Sequence, residues 1–149
     1  MELDKYEFTE ERRYLSYGFW SDGPKGRIAK VVQFIRLRHL NTEAYNLVLG
    51  DKNEEEDQID SFINTNNNDR DKVLATVANI AAAFMKRRPN AAIFFAGNTT
   101  ARNRLYRMGI SRILREIELS YTLKGFRNGQ WEPFQANTEY IAYLLECKY

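Results

Sequence analysis

The residues best suited to chemistry lie near the middle of the chain, where Gly97-Asn98-Thr99-Thr100 separates an apolar run from an arginine-rich segment. That order predicts a strand, a short loop and a helix. A helix N-terminus presents unpaired amides and the positive end of a dipole, which together can hold an anion. Gly97 lets backbone approach closely, and Asn98, Thr99 and Thr100 add short polar side chains. Arg102, Arg104 and Arg107 supply guanidinium forks that match phosphate or carboxylate. The lysine of a P-loop and the glycines of a dinucleotide-binding turn are both missing. A plain N-cap at Asn98 or Thr99 explains the loop more simply than an anion site does.

The helix itself carries a pattern. At about 100° per residue, Tyr106, Ile110, Ile113, Leu114 and Ile117 share one face. Arg104, Arg107, Arg112 and Arg115 take the opposite side, provided Gly109 does not bend or split the helix. Such a row fits contact with a phosphate backbone. It equally fits a solvated face paired with Glu116 and Glu118.

A second polar run, Asn64 to Asp69, precedes another helix. If a short strand at Ile59 to Ile63 lay parallel to the apolar run Ala91 to Ala96, both loops would open on one sheet edge. Asn66, Asn67 and Asp69 would then lie near Asn98, Thr99 and Arg102 in a polar crevice able to hold a phosphorylated small molecule or a nucleotide end. Other chemistry is thin. His39 is the only histidine and Cys147 the only cysteine, so paired-histidine metal sites are excluded. A Cys147–His39 dyad is the one nucleophilic pairing of that kind left, and packing explains Cys147 better. Glu54 to Asp60 offers carboxylates, but nothing in the sequence marks one as buried. Tyr121, Lys124, Phe126, Arg127 and Trp131 mix aromatic and basic residues, as a surface for single-stranded nucleic acid does. Cross-strand packing accounts for them more simply.

The elements that position these residues follow from local pattern. Tyr14 to Trp20 and Ile28 to Leu37 read as strands joined by Ser21-Asp22-Gly23-Pro24-Lys25-Gly26, a strong turn signal. Ala44 to Leu49 alternates as a third strand, and Gly50 to Asn53 reads as a turn into the acidic block Glu54 to Asp57. Val73, Val77, Ile80 and Phe84 recur at helical spacing, widened by Leu74, Ala78, Ala81 and Met85, so this first helix is buried on much of its circumference. Asn68 or Asp69 can cap it, and Lys86-Arg87-Arg88-Pro89 ends it. The second helix extends toward Glu118. Asn128-Gly129 predicts a type I′ hairpin that sets Phe126 against Trp131. Glu139 to Lys148 alternates as a closing strand, with a helix from Asn137 as the alternative.

Length and composition bound the rest. At 149 residues with 44% hydrophobic and 28% charged residues, the chain has the composition of an ordinary globular protein. A net charge of +2 gives only a mild basic bias, below what a clustered nucleic-acid binder usually shows. No apolar run approaches the ~20 residues of a membrane span. A lone cysteine and an N-terminus without a secretory pattern point to the cytoplasm.

Three segments stand out together: Tyr45 to Asp51, Asn66-Asn67-Asn68-Asp69 with Lys72 to Ala78, and Phe95 to Tyr106. In this order they resemble a bacterial family of similar length, found mainly in the Bacteroidota and known as a domain of unknown function. Its members more often carry serine at the position of Asn98. The resemblance implies one intact domain and a bacterial cytosolic setting, and it implies no catalytic residue.

The expected fold is α+β: a curved, mainly antiparallel sheet of about six or seven strands with two helices packed on one face, forming a single domain over residues 1–149. The expected function is a non-enzymatic binding module that contacts nucleic acid or another polyanion through the second helix and its N-terminal loop. The alternatives are a protein-interaction or assembly component, including a homodimer, and a small enzyme acting on a phosphorylated substrate. No cofactor, metal or membrane partner is expected.

Overall fold

The computed structural model describes residues 4–11, 15–53, 58–60, 67–97 and 99–148. Among these the chain forms β1 (Thr9–Glu11), β2 (Ser16–Gly23), β3 (Gly26–Arg36), β4 (Ala44–Asn53), β5 (Gln58–Asp60), α1 (Arg70–Arg87), β6 (Ala92–Phe95), α2 (Thr100–Ser120), β7 (Tyr121–Arg127), β8 (Gln130–Pro133) and β9 (Ala142–Cys147). The α+β class, the two helices and the mainly antiparallel pairing match the sequence reading. The strand count does not: nine strands are present among the described residues instead of six or seven. β1 and β5 have three residues each, too few to carry a periodic signal.

Two compact units divide the chain, Met1–Ile35 with Leu47–Lys86, and Arg36–Asn46 with Arg87–Tyr149. In the first, the strands run in the order β1-β2-β3-β4, with β5 paired antiparallel to β4. β2 and β3 form the expected hairpin, closing at Gly23 opposite Gly26. Alternation puts Tyr17, Phe19 and Ser21 of β2 on the same face as Lys30, Val32 and Phe34 of β3, and all six are buried. α1 packs there: the Phe84 ring stacks on Phe34 with centroids 3.9 Å apart, and Tyr17 meets Phe34 edge-on. No residue of α1 is exposed before Lys86, as its broad apolar face predicts.

The predicted turn at Gly50 to Asn53 is strand instead, since β4 continues through Asn53. The reason lies inside: Lys30 is 1% exposed on the buried face, and its Nζ sits 2.5 Å from Asp51 Oδ1. A cation buried this deeply needs a carboxylate partner, and extending β4 by a few residues supplies one.

The second unit is ordered β4-β6-β9-β7-β8. β4 and β6 are parallel over Ala44–Asn46 and Ala92–Phe94, while β9 lies antiparallel between β6 and β7. The closing segment is therefore strand, not helix. Its central place explains why Tyr143, Leu144 and Leu145 are all buried and simple alternation fails. Asn128 and Gly129 have φ of 53° and 77°, the two positive values a type I′ turn needs, and Phe126 faces Trp131 in register. α2 runs through the buried Gly109 to Ser120 as one helix, so Gly109 does not split it. Ser111 Oγ donates to the Arg107 carbonyl without splitting the helix.

Candidate functional site

The loop before α2 is built to start a helix. Thr99 is the N-cap: its extended backbone opens the helix, and its Oγ1 accepts the Arg102 amide at 3.1 Å. The Asn103 side chain turns back to accept the Gly97 amide at 2.6 Å. A Cβ at Gly97 would lie 2.7 Å from the Asn103 amide nitrogen, so glycine lets the first turn close against the strand end. Thr99 Oγ1 and the Gly97 amide are thus used internally, which is the capping reading of the loop. Thr100 is exposed at the first helical position, and Asn98 lies outside the described residues.

The arginines divide by direction. Ile110 and Ile113 are buried on the inward face, flanked by half-buried Tyr106, Leu114 and Ile117. Arg104, Arg112 and Arg115 are exposed on the outward face, interleaved with Met108 and with Leu119, which is 76% exposed. Arg102 and Arg107 are half-buried toward the core side. Arg104 Nη2 lies 3.2 Å from Glu139 Oε1, both exposed, a pairing worth under about 1 kcal/mol. The expected partner Glu116 forms no ion pair among the described residues. Burial raises the Tyr106 phenol while the nearby Arg102 pulls it back.

Beneath the helix, the Tyr143 hydroxyl donates to the Asn103 carbonyl at 3.2 Å. Burial pushes its pKa up to about 12, opposed by Arg107 and aided by Tyr140. The folded state thus holds the neutral phenol more tightly than the unfolded chain does. Stability from this group is complete below the ordinary tyrosine value and is lost as pH rises toward about 12. An alkaline unfolding curve should therefore fall between about pH 10 and 12, and that fall should be shallower in Tyr143→Phe, as followed by circular dichroism.

The predicted crevice loses its premise. β5 pairs with β4 and not with β6, whose parallel neighbour is β4. Asn67 and Asp69 belong to the first unit and are occupied there. Asn67 is buried, accepts the Lys25 amide at 2.7 Å and donates to the Gly26 carbonyl at 2.8 Å, pinning the β2–β3 turn. The Asp69 carboxylate accepts both Ser21 Oγ at 2.5 Å and Tyr6 Oη at 2.6 Å, while its carbonyl accepts the Val73 amide to open α1. Burial, then the bond to Asp69, raises the Tyr6 phenol. This network fixes the N-terminal segment and the hairpin to the start of α1. Asn66 lies outside the described residues, as does the acidic block at 54–57.

The mixed hairpin sorts onto two faces. Phe126 and Trp131 pack at 5.0 Å between centroids and share their face with Lys124, while Tyr121 and Arg127 point the other way. Arg127 instead bonds Glu132 at 2.5 Å. Phe94 of β6 joins the aromatic group, 5.7 Å from Trp131. Sequence reasoning missed that partner because the two positions are far apart in the chain. His39 is exposed in the β3–β4 connection. Burial pushes the Cys147 thiol up, away from the reactive thiolate. Among the described residues no group of three or more His, Cys, Asp and Glu is placed to hold a metal, and no helix is long and apolar enough to cross a membrane.

No curated protein and no solved structure matches the chain. The family of unknown function DUF6934 matches residues 2–148, nearly the full length. The chain, with its capped arginine helix, belongs to that family.

Proposed function

We propose that this chain is a non-enzymatic binding module that contacts nucleic acid or another polyanion through the outward face of α2. The observation that carries the reading is the exposure of Arg104, Arg112 and Arg115 on one side of a helix whose other side is packed. From Arg104 to Arg115 the helix advances about 16 Å, enough to meet more than one phosphate. α2 has no acidic residue in its first turn, where α1 has Asp71. Arginines near the positive end of a helix dipole cost local stability, which makes sense where an anion offsets them. The family span of residues 2–148 supports one functional domain, and the single cysteine supports a reducing, cytoplasmic setting.

The test is fluorescence anisotropy with labelled single-stranded RNA, single-stranded DNA and duplex DNA across a salt series. Wild type should bind at low salt and weaken steadily as salt rises. Arg104→Ala with Arg112→Ala and Arg115→Ala should lower affinity about 10–100-fold and reduce the log–log salt slope by about two to three. A chain with no low-salt affinity, or a triple variant that binds like wild type, sinks the proposal.

A second reading has its own observation. The cluster of Phe94, Phe126 and Trp131 leaves Trp131 37% exposed, a surface suited to a protein partner. Under that reading Trp131→Ala abolishes a co-purifying partner or a dimer while the arginine variant leaves it intact.

A further inference from the structure

We infer that Arg36, Arg38, His39, Arg87 and Arg88 form a second phosphate-contacting cluster around Tyr45, and that its ligand is the phosphodiester backbone of a nucleic acid strand that also runs along α2. The inference rests on the nucleic-acid reading of α2 and extends its footprint.

The two connections that bring these residues together are distant in sequence and adjacent in the second unit. Ala44 of β4 pairs with Ala92 of β6, and the Ala92 amide donates to the Glu43 carbonyl at 2.9 Å. The residues just before each strand therefore meet at one end of the sheet. Between them, residues 36–46 and 87–91 carry four arginines and one histidine against the single carboxylate of Glu43. Arg36 lies over the Tyr45 ring at 5.4 Å and Arg88 at 5.9 Å. Two guanidinium groups drawn to one ring gain cation–π attraction and hold their planar forks at one end of the sheet. A phosphate anion beside them gains charge-assisted hydrogen bonds. Arg36, Arg38, His39 and Arg87 are exposed, so the cluster is open to solvent.

Its position relative to α2 follows from the register. Tyr45 faces Ile93, which faces Leu145. Tyr143, two residues from Leu145 and on the same face, reaches up to the Asn103 carbonyl of α2. Tyr45 thus lies on the face that α2 covers. The helix starts beyond the far end of β6 and returns, for the Lys148 amide donates to the Ser120 carbonyl just past the Glu146–Ala92 pair. The end of α2 bearing Arg115 is therefore directed at the end of the sheet where the cluster sits. A basic track from Arg104 through Arg115 to Arg36 and Arg88 suits a chain of successive monoanionic phosphates better than one small anion.

The experiment measures anisotropy of a short fluorescein-labelled single-stranded RNA with the full chain across a salt series, with sodium tripolyphosphate as competitor. Arg38→Ala with Arg87→Ala, both exposed, and Arg36→Gln with Arg88→Gln should each weaken binding about 5–30-fold and lower the salt slope by between about one and two. Thermal melts confirm folding; should the Arg36 and Arg88 variant fail to fold, the Arg38 and Arg87 variant decides. RNA affinity unchanged in these variants overturns the inference, as does RNA displaced from wild type by equimolar tripolyphosphate. Loss of affinity here with none in the α2 triple variant overturns the α2 reading and keeps this cluster as the site.

Discussion

Replacing Asp51 with alanine destabilises the chain by about 3–5 kcal/mol, the loss expected when a buried cation is stripped of its counter-charge. Lys30 is 1% exposed, and its Nζ lies 2.5 Å from Asp51 Oδ1. Removing the carboxylate takes this ion pair from a face on which Val32 and Phe34 are also buried. The desolvation of the lysine is then offset by one fewer opposite charge. Urea melts measure the change as a lower midpoint at constant slope. The paired replacement Lys30→Met with Asp51→Leu should recover most of the loss, because no charge is then left buried. A single variant as stable as wild type, or a double variant no better than the single, contradicts this description of the core.

Phe84→Ala should cost about 3–5 kcal/mol, since it deletes the largest apolar side chain that α1 buries against its strands. Phe84 has no exposed surface and stacks on Phe34, which in turn meets Tyr17. Truncation opens a cavity that the Phe34 and Tyr17 rings cannot close by rotating. Phe84→Leu should cost far less, about 1–2 kcal/mol, because most of the volume is retained. Melts of the two variants side by side separate packing from mere hydrophobicity.

Much of this was legible in the sequence for reasons that are local. Asn128-Gly129 fixed a hairpin because only residues tolerant of positive φ close that turn, and the turn then set Phe126 opposite Trp131. The inward face of α2 was legible because its period survives Gly109. The capping role of Thr99 was one of two readings of its loop, and the hydrogen bond to the Arg102 amide supports it. What stayed hidden was non-local. Asp51 sits in a run that reads as a turn, and only its distant partner Lys30 explains why the chain stays extended there. Asn67 looked like a ligand-facing loop residue, yet it serves the turn at Lys25 and Gly26. The parallel neighbour of β6 proved to be β4, a choice no periodicity in the short segment near Ile59 could express. Arg36 and Arg88 each read as ordinary strand-end or helix-end cations, and only the pairing of Ala44 with Ala92 brings them to one tyrosine.

The central claim is that α2 presents an anion-binding face, and an amide and arginine-Nε NMR titration addresses it residue by residue. The chain is titrated with a short single-stranded oligonucleotide at low salt. The account predicts shifts at Arg104, Met108, Arg112 and Arg115 of α2, accompanied by shifts at Arg36, Arg38, Arg87 and Arg88, all reversed by added salt, with the aromatic face at Trp131 unmoved. Shifts confined to Trp131, Phe126 and Phe94, or no shift anywhere, would contradict it.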